Sequence, residues 1–160
     1  MKTATLLPFK AFGFVIWLVV CFSVPFFGAG FVSGDWYPTL NKPTWNPPKW
    51  AFAPVWTVLY TVMGIAAWMV WSRGGFRKQF RPLVLFLIQL FLNALWTPLF
   101  FGLHRPALAF ADIVLLWLVL LGTVVAFWQI RALAGALLIP YVVWVTFAAA
   151  LNFSIWQLNR

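Results

Sequence analysis

Acid is scarce in this sequence. Its 160 residues include two acidic side chains, Asp35 and Asp112, and no glutamate, while histidine and cysteine occur once each, as His104 and Cys21. These shortages exclude whole classes of chemistry. One histidine, one cysteine and two acids do not assemble a metal site of usual make-up within one chain. A serine–histidine–acid triad would have to bring both rare groups to a serine, in a chain that has few serines. A single cysteine forms no intrachain disulfide, and Cys21, inside an apolar run, reads as a small buried hydrophobe. His104 lies in a turn beside Arg105 and Pro106, which reads as a solvated loop position. Charge of either sign is scarce: 8% of residues are charged, against about 25% in ordinary soluble domains.

What fills the space is apolar. Hydrophobic residues make up 64% of the chain and aromatics 21%, with a mean hydropathy of +0.94. A soluble domain of this length could not hide so much apolar surface. The expected fold is therefore an all-α membrane protein, a five-transmembrane-helix bundle forming one domain over residues 1–160. Five runs approach the roughly 20 residues that a helix needs to cross a bilayer: Phe9–Phe31, Ala51–Trp71, Pro82–Phe101, Ala107–Phe127 and Leu133–Trp156. The first is too long and too aromatic for a signal-peptide core of about 7–15 residues. Gly74-Gly75 and Pro82 mark one break, and His104-Arg105-Pro106 and Gln129-Ile130-Arg131 mark tighter ones that force neighbouring helices to run antiparallel.

The net charge of +9 would point to nucleic acid in a soluble protein. Here the basic residues sit in the gaps between apolar runs, where they set membrane orientation, so no nucleic-acid partner is expected. Lys2, Lys10, Arg73, Arg77, Lys78, Arg81 and Arg131 fall on one side, against Lys42, Lys49, Arg105 and Arg160 on the other. That bias puts the N-terminus in the cytoplasm if the membrane is an inner or plasma membrane.

The segment 32–50 is unusual for a connection. It holds Trp36, Tyr37, Trp45 and Trp50 together with Pro38, Pro43, Pro47 and Pro48. Prolines restrict the backbone and lower the entropic cost of holding aromatic rings in place. The expectation is a lid over a site, with an interfacial aromatic belt as the alternative.

Polar residues inside spans mark the bundle interior, because in hydrocarbon they must find partners. Gln89, Asn93 and Thr97 recur every four residues on the third span, with Trp96 beside them. On the fifth, Tyr141, Trp144, Ala148 and Asn152 share a face, and on the second so do Trp56, Tyr60, Gly64 and Trp68. Converging stripes of this kind would enclose a cavity with flat aromatic walls and a few polar groups, suited to a large planar ligand. Taken singly, each amide also fits a plain interhelical contact. Asp112 is the one acid within a span. It is a functional candidate by default, or else a helix N-terminal residue favoured by the helix dipole or paired with Arg105.

Three segments together resemble a known family. Trp45-Asn46-Pro47-Pro48-Lys49-Trp50 with Pro54-Val55-Trp56-Thr57-Val58-Leu59-Tyr60, then Leu92-Asn93-Ala94-Leu95-Trp96-Thr97-Pro98-Leu99-Phe100-Phe101-Gly102, then Pro140-Tyr141-Val142-Val143-Trp144 with Ala150-Leu151-Asn152-Phe153, are similar to the signatures of the tryptophan-rich sensory protein/translocator protein (peripheral-type benzodiazepine receptor) family. The resemblance implies a five-helix bundle, commonly a homodimer. It also implies porphyrin or tetrapyrrole binding (protoporphyrin IX or a haem-like ligand, with no cofactor required), and synthetic benzodiazepine-site ligands, in a cavity capped by the first loop. Carried over, the ligand-binding residues would be Trp45, Pro47, Trp56, Tyr60, Asn93, Trp96, Tyr141, Trp144 and Asn152, with Ala148 added by the stripe. Animal members carry a tyrosine in a C-terminal cholesterol-recognition pattern where this chain has Phe153, and the next basic residue is Arg160. Cholesterol transport is therefore not carried over, and a sterol or hopanoid ligand stays open.

Three functions compete: a sensory or transporter-like tetrapyrrole receptor; a light-dependent porphyrin-degrading enzyme using Trp56 and Trp144; and a membrane scaffold. For the last, Ala107/Ala111 and Gly122/Ala126 place small residues four apart on the fourth span, a spacing that permits close helix contact.

Overall fold

The computed structural model describes residues 6–32 and 34–160. Lys2 lies outside them, as does the side chain of Lys10. In chain order the helices are α1 (Leu6–Ala29), α2 (Trp36–Thr39), α3 (Lys49–Trp71), α4 (Gly75–Thr97), α5 (Pro106–Ile130), α6 (Ala132–Leu137) and α7 (Ile139–Leu158), with a π-helical turn at Pro98–Gly102 between α4 and α5. Among the described residues, five stretches are long and apolar enough to cross a membrane: Ala11–Ala29, Lys49–Trp71, Gly75–Gly102, Pro106–Ile130 and Ala132–Leu158. Helix is the solution hydrocarbon enforces, since each backbone N–H finds its carbonyl within its own segment.

The path departs from the expected spans where glycine and proline act. The third helix starts at Gly75, seven positions before Pro82. Gly74 (φ 129°) and Gly75 (φ 62°) make the turn in the left-handed region, where a Cβ is costly. Arg77, Lys78 and Arg81, expected in a loop, occupy exposed positions of this helical end; Lys and Arg are good helix formers and need not end a helix at the membrane surface. A kink at Gln79 (φ −116°, ψ 34°) then restarts the helix, so Pro82 falls near the new beginning, where its missing N–H costs little.

The fifth span, expected to be continuous, is interrupted at Leu138 between α6 and α7. Pro140 has no N–H to donate, and its ring crowds the carbonyl four residues back. Pro98 opens the π-helical turn, in which Leu103 N–H reaches the Pro98 carbonyl at 2.8 Å.

Close helix approach also has a local cause. A Cβ on Gly64 would sit 2.8 Å from Leu18 Cδ2 and 3.3 Å from its Cα, so the absence of a side chain lets α1 lie against α3. Around that contact Cys21, Met63, Phe86, Leu120, Phe127 and Tyr141 are fully or almost fully buried. Ala107, Ala111 and Gly122 face outward on α5, and a Cβ on Gly122 would meet nothing within 4 Å.

The lid is structured. The single turn α2 packs Trp36 against Phe100 and stacks it on His104, with ring centroids 4.3 Å apart and planes 17° from parallel. His104 is therefore an exposed residue with a packing role, held at φ 53° in its turn. Tyr37 lies over Phe101 and donates its hydroxyl to Asn46 Oδ1 at 3.0 Å. Burial pushes the Tyr37 phenol above its ordinary value while the bond to Asn46 acts the other way, so the hydroxyl is a neutral donor at physiological pH. Lys42 Nζ donates to the carbonyls of Tyr37 (2.8 Å), Pro38 (3.2 Å) and Leu40 (2.7 Å), where it caps the C-terminal end of α2. Asn159, at the end of α7, accepts from Asn41 N–H and donates to the Asn41 carbonyl, both at 2.9 Å.

Candidate functional site: an aromatic cavity under the lid

The upper halves of α1, α3, α4, α5 and α7, together with the lid, enclose a cavity of about 830 Å³. This falls within the roughly 300–1,000 Å³ of small-molecule sites. Seven of the ten expected site residues stand in its wall: Trp56, Tyr60, Asn93, Trp96, Trp144, Ala148 and Asn152.

The stripes divide along their length. On α3, Trp56 and Tyr60 face the cavity with their rings stacked at 5.2 Å, whereas Gly64 packs on Leu18 and Trp68 sets its ring edge against Phe14. On α4, Asn93, Trp96 and Thr97 reach the wall. Gln89, one turn below Asn93, is fully buried outside it, and neither of its amide atoms has a partner in the protein. On α7, Trp144 stands edge-on to Trp56 at 6.1 Å, with Ala148 and Asn152 beyond it.

Two amide networks tie the wall together. Tyr60 Oη donates to Asn93 Oδ1 at 2.9 Å, and Asn93 Nδ2 donates to Tyr141 Oη, which links α3, α4 and α7. Trp96 Nε1 donates to Asn152 Oδ1 at 2.9 Å, and Asn152 Nδ2 donates to the Pro106 carbonyl at 2.8 Å. Asn93 and Asn152 therefore serve as interhelical fasteners as well as wall residues, and Tyr141 stands behind the wall rather than in it. Trp144 Nε1 differs: it is buried with no hydrogen-bond partner in the protein. A buried indole N–H normally finds an acceptor.

The lid meets the cavity through Val32, Gly34, Tyr37 and Pro38; the expected Trp45 and Pro47 do not reach the wall. Trp45 is half exposed and sets its ring edge against Phe147, a wall residue, from outside. Being rich in proline, the segment turns back on itself, so the ring nearest the family motif is not the ring nearest the cavity. Phe22, Pro25 and Gly28 of α1 and Ile113 and Leu116 of α5 complete the wall and were not expected. α1 is apolar almost throughout and α5 carries only scattered polar residues, so neither shows a mixed aromatic and polar stripe that would mark its cavity face. Lys49, an orienting charge within the Trp45–Trp50 motif, also lines the cavity.

Asp112 meets neither of its bland expectations. It is the seventh residue of α5, beyond the first turn, and no ion pair joins it to Arg105 among the described residues. Its side chain is buried, with Oδ2 lacking a hydrogen-bond partner, and it stands outside the cavity wall.

With the fold and the cavity in place, relatives can be compared. A sequence profile of the TspO/MBR family matches residues 12–157. The chain belongs to the TspO/MBR family. It is 45% identical over 150 residues to Protein CrtK of Rhodobacter capsulatus, covering 91% of this chain and 92% of that one. To the tryptophan-rich protein TspO of Chlorobaculum tepidum it is 45% identical over 144 residues, covering 88% and 91%. The translocator protein of Sus scrofa shares 45% identity over 127 residues, covering 78% of this chain and 75% of its own. Similarity to TspO/MBR relatives thus spans nearly every described helix, and the chain is an integral, multi-pass membrane protein.

Proposed function

We propose that this membrane protein binds a tetrapyrrole, protoporphyrin IX or a haem-like relative, in the cavity under the lid. Family membership supports a sensory or transporter-like role in the membrane. The observation that carries the ligand class is the wall itself. Trp56, Trp96, Trp144, Phe52, Phe100 and Phe147 present aromatic rings around about 830 Å³, and flat π surfaces suit a flat conjugated ring. Trp144, a wall residue, carries a buried indole N–H with no acceptor in the protein, a donor that a bound ligand would satisfy. Occupation of the cavity under a latched lid is the ligand-dependent event that a sensor would report. The Lys/Arg distribution supports a cytoplasmic N-terminus, with lid and C-terminus on the opposite face.

Titration of detergent-solubilised protein with protoporphyrin IX in the dark, read by tryptophan quenching and corrected for porphyrin absorption, tests the reading. Saturable quenching is expected. Trp144→Phe keeps an aromatic ring but removes the pyrrole half of the indole with its N–H, so it should weaken binding at least about fivefold, the roughly 1 kcal/mol of one hydrogen bond plus the lost ring contact. Unsaturable quenching of the folded wild type would remove the assignment.

A further inference from the structure

Lys49 is the only charged residue in the cavity wall among the described residues. It is exposed and opens α3, immediately after the lid and one turn before the wall residue Phe52, which places it at the rim rather than in the depth of the cavity. The other cations on this side of the bundle stand elsewhere. Lys42 is bonded to three lid carbonyls, and Arg160 lies over the Trp156 ring at 4.8 Å. Arg105 precedes α5 and is absent from the wall. Neither acid of the chain lines the cavity, so nothing in the wall neutralises Lys49. Below the rim both amides are already engaged, Asn93 with two tyrosine hydroxyls and Asn152 with Trp96 and the Pro106 carbonyl, and the unpartnered Trp144 N–H is a neutral donor that cannot balance a charge.

This division sorts the parts of a ligand. A carboxylate carried into the apolar depth would lose its hydration without gaining a cation, which is costly. At the rim it keeps part of its water and meets an ammonium. We infer that Lys49 is a specificity-determining residue which selects ligands that bear a carboxylate at one edge of an apolar ring system, and that it holds this edge at the cavity mouth while the ring lies between the aromatic walls. The inference rests on the tetrapyrrole reading above and deepens it: the preferred ligand is an anionic tetrapyrrole, entered ring first.

Protoporphyrin IX and its dimethyl ester share a ring and differ in charge, so they separate the two claims. Dark titrations of the wild type, Lys49→Gln and Lys49→Arg with each ligand form the test. The wild type should prefer the diacid. Lys49→Gln should weaken diacid binding about tenfold, equivalent to about 1.4 kcal/mol, leave the diester unchanged, and so abolish the preference. Lys49→Arg should retain it, and added salt should shrink it in the wild type, because a partly exposed pair is screened. Diacid binding unchanged in Lys49→Gln, or an equal loss for both ligands, would overturn the role of Lys49 and leave the tetrapyrrole site standing. A wild type that takes up neither ligand would overturn both readings.

Discussion

Within the bundle, polar side chains divide into those with partners and those without. Asn93 and Asn152 each join two other helices through both ends of the amide. Bonds of this kind in membranes average about 0.6 kcal/mol, enough in pairs to set how α3, α4 and α7 meet. Gln89 is fully buried with neither amide atom paired in the protein, and an unsatisfied buried amide costs about 1–3 kcal/mol. Gln89→Met keeps the length and removes the polar atoms, so it should raise the thermal midpoint in detergent by a few degrees; a fall of that size would contradict the assignment. The sequence marked all three residues as interior, because a polar residue in a span has few other places to go. It could not tell the paired amides from the orphan, since spacing of four puts Gln89 and Asn93 on one face while their neighbours come from other helices. Lys49 is legible in the sequence as a charge and as a motif position but not as a wall residue, because that place depends on where α3 begins relative to the lid.

Among the elements, run length made the five spans legible: lipid demands an apolar exterior over a fixed thickness. Backbone path was less so. Hydropathy does not register the kink at Gln79, the π-helical turn at Pro98 or the break at Leu138, though a proline stands at or within three residues of each. The contribution of α1 to the cavity was hidden by its uniform apolarity. The lid was legible in composition and not in contact, since Tyr37 and Pro38 reach the cavity where Trp45 does not. Its attachment to α7 yields a prediction at this scale. Asn159→Ala removes both bonds to Asn41, along with the bond from Asn159 Nδ2 to the backbone carbonyl of the wall residue Ile155 at 2.7 Å, and leaves every side chain of the wall in place. Porphyrin release, followed by stopped-flow recovery of tryptophan fluorescence, should accelerate about threefold to tenfold with unchanged helicity, because loss of a latch acts on dissociation. An unaltered release rate would show that the lid does not gate exit.

For the molecule as a whole, apolar spans and the lid together enclose a cavity walled largely by aromatic rings. The resulting claim is that ligand sits inside the bundle and not on its lipid-facing surface. Ala148 and Ala150 discriminate the two. Ala148 lines the cavity, whereas Ala150 is exposed on α7 beside Phe110, Val114 and Phe153. The most direct measurement is the dark protoporphyrin IX titration of Ala148→Phe beside Ala150→Phe. The account predicts loss of saturable quenching in Ala148→Phe and wild-type affinity in Ala150→Phe; wild-type affinity in Ala148→Phe, with loss in Ala150→Phe, would place the ligand on the outer surface and contradict it.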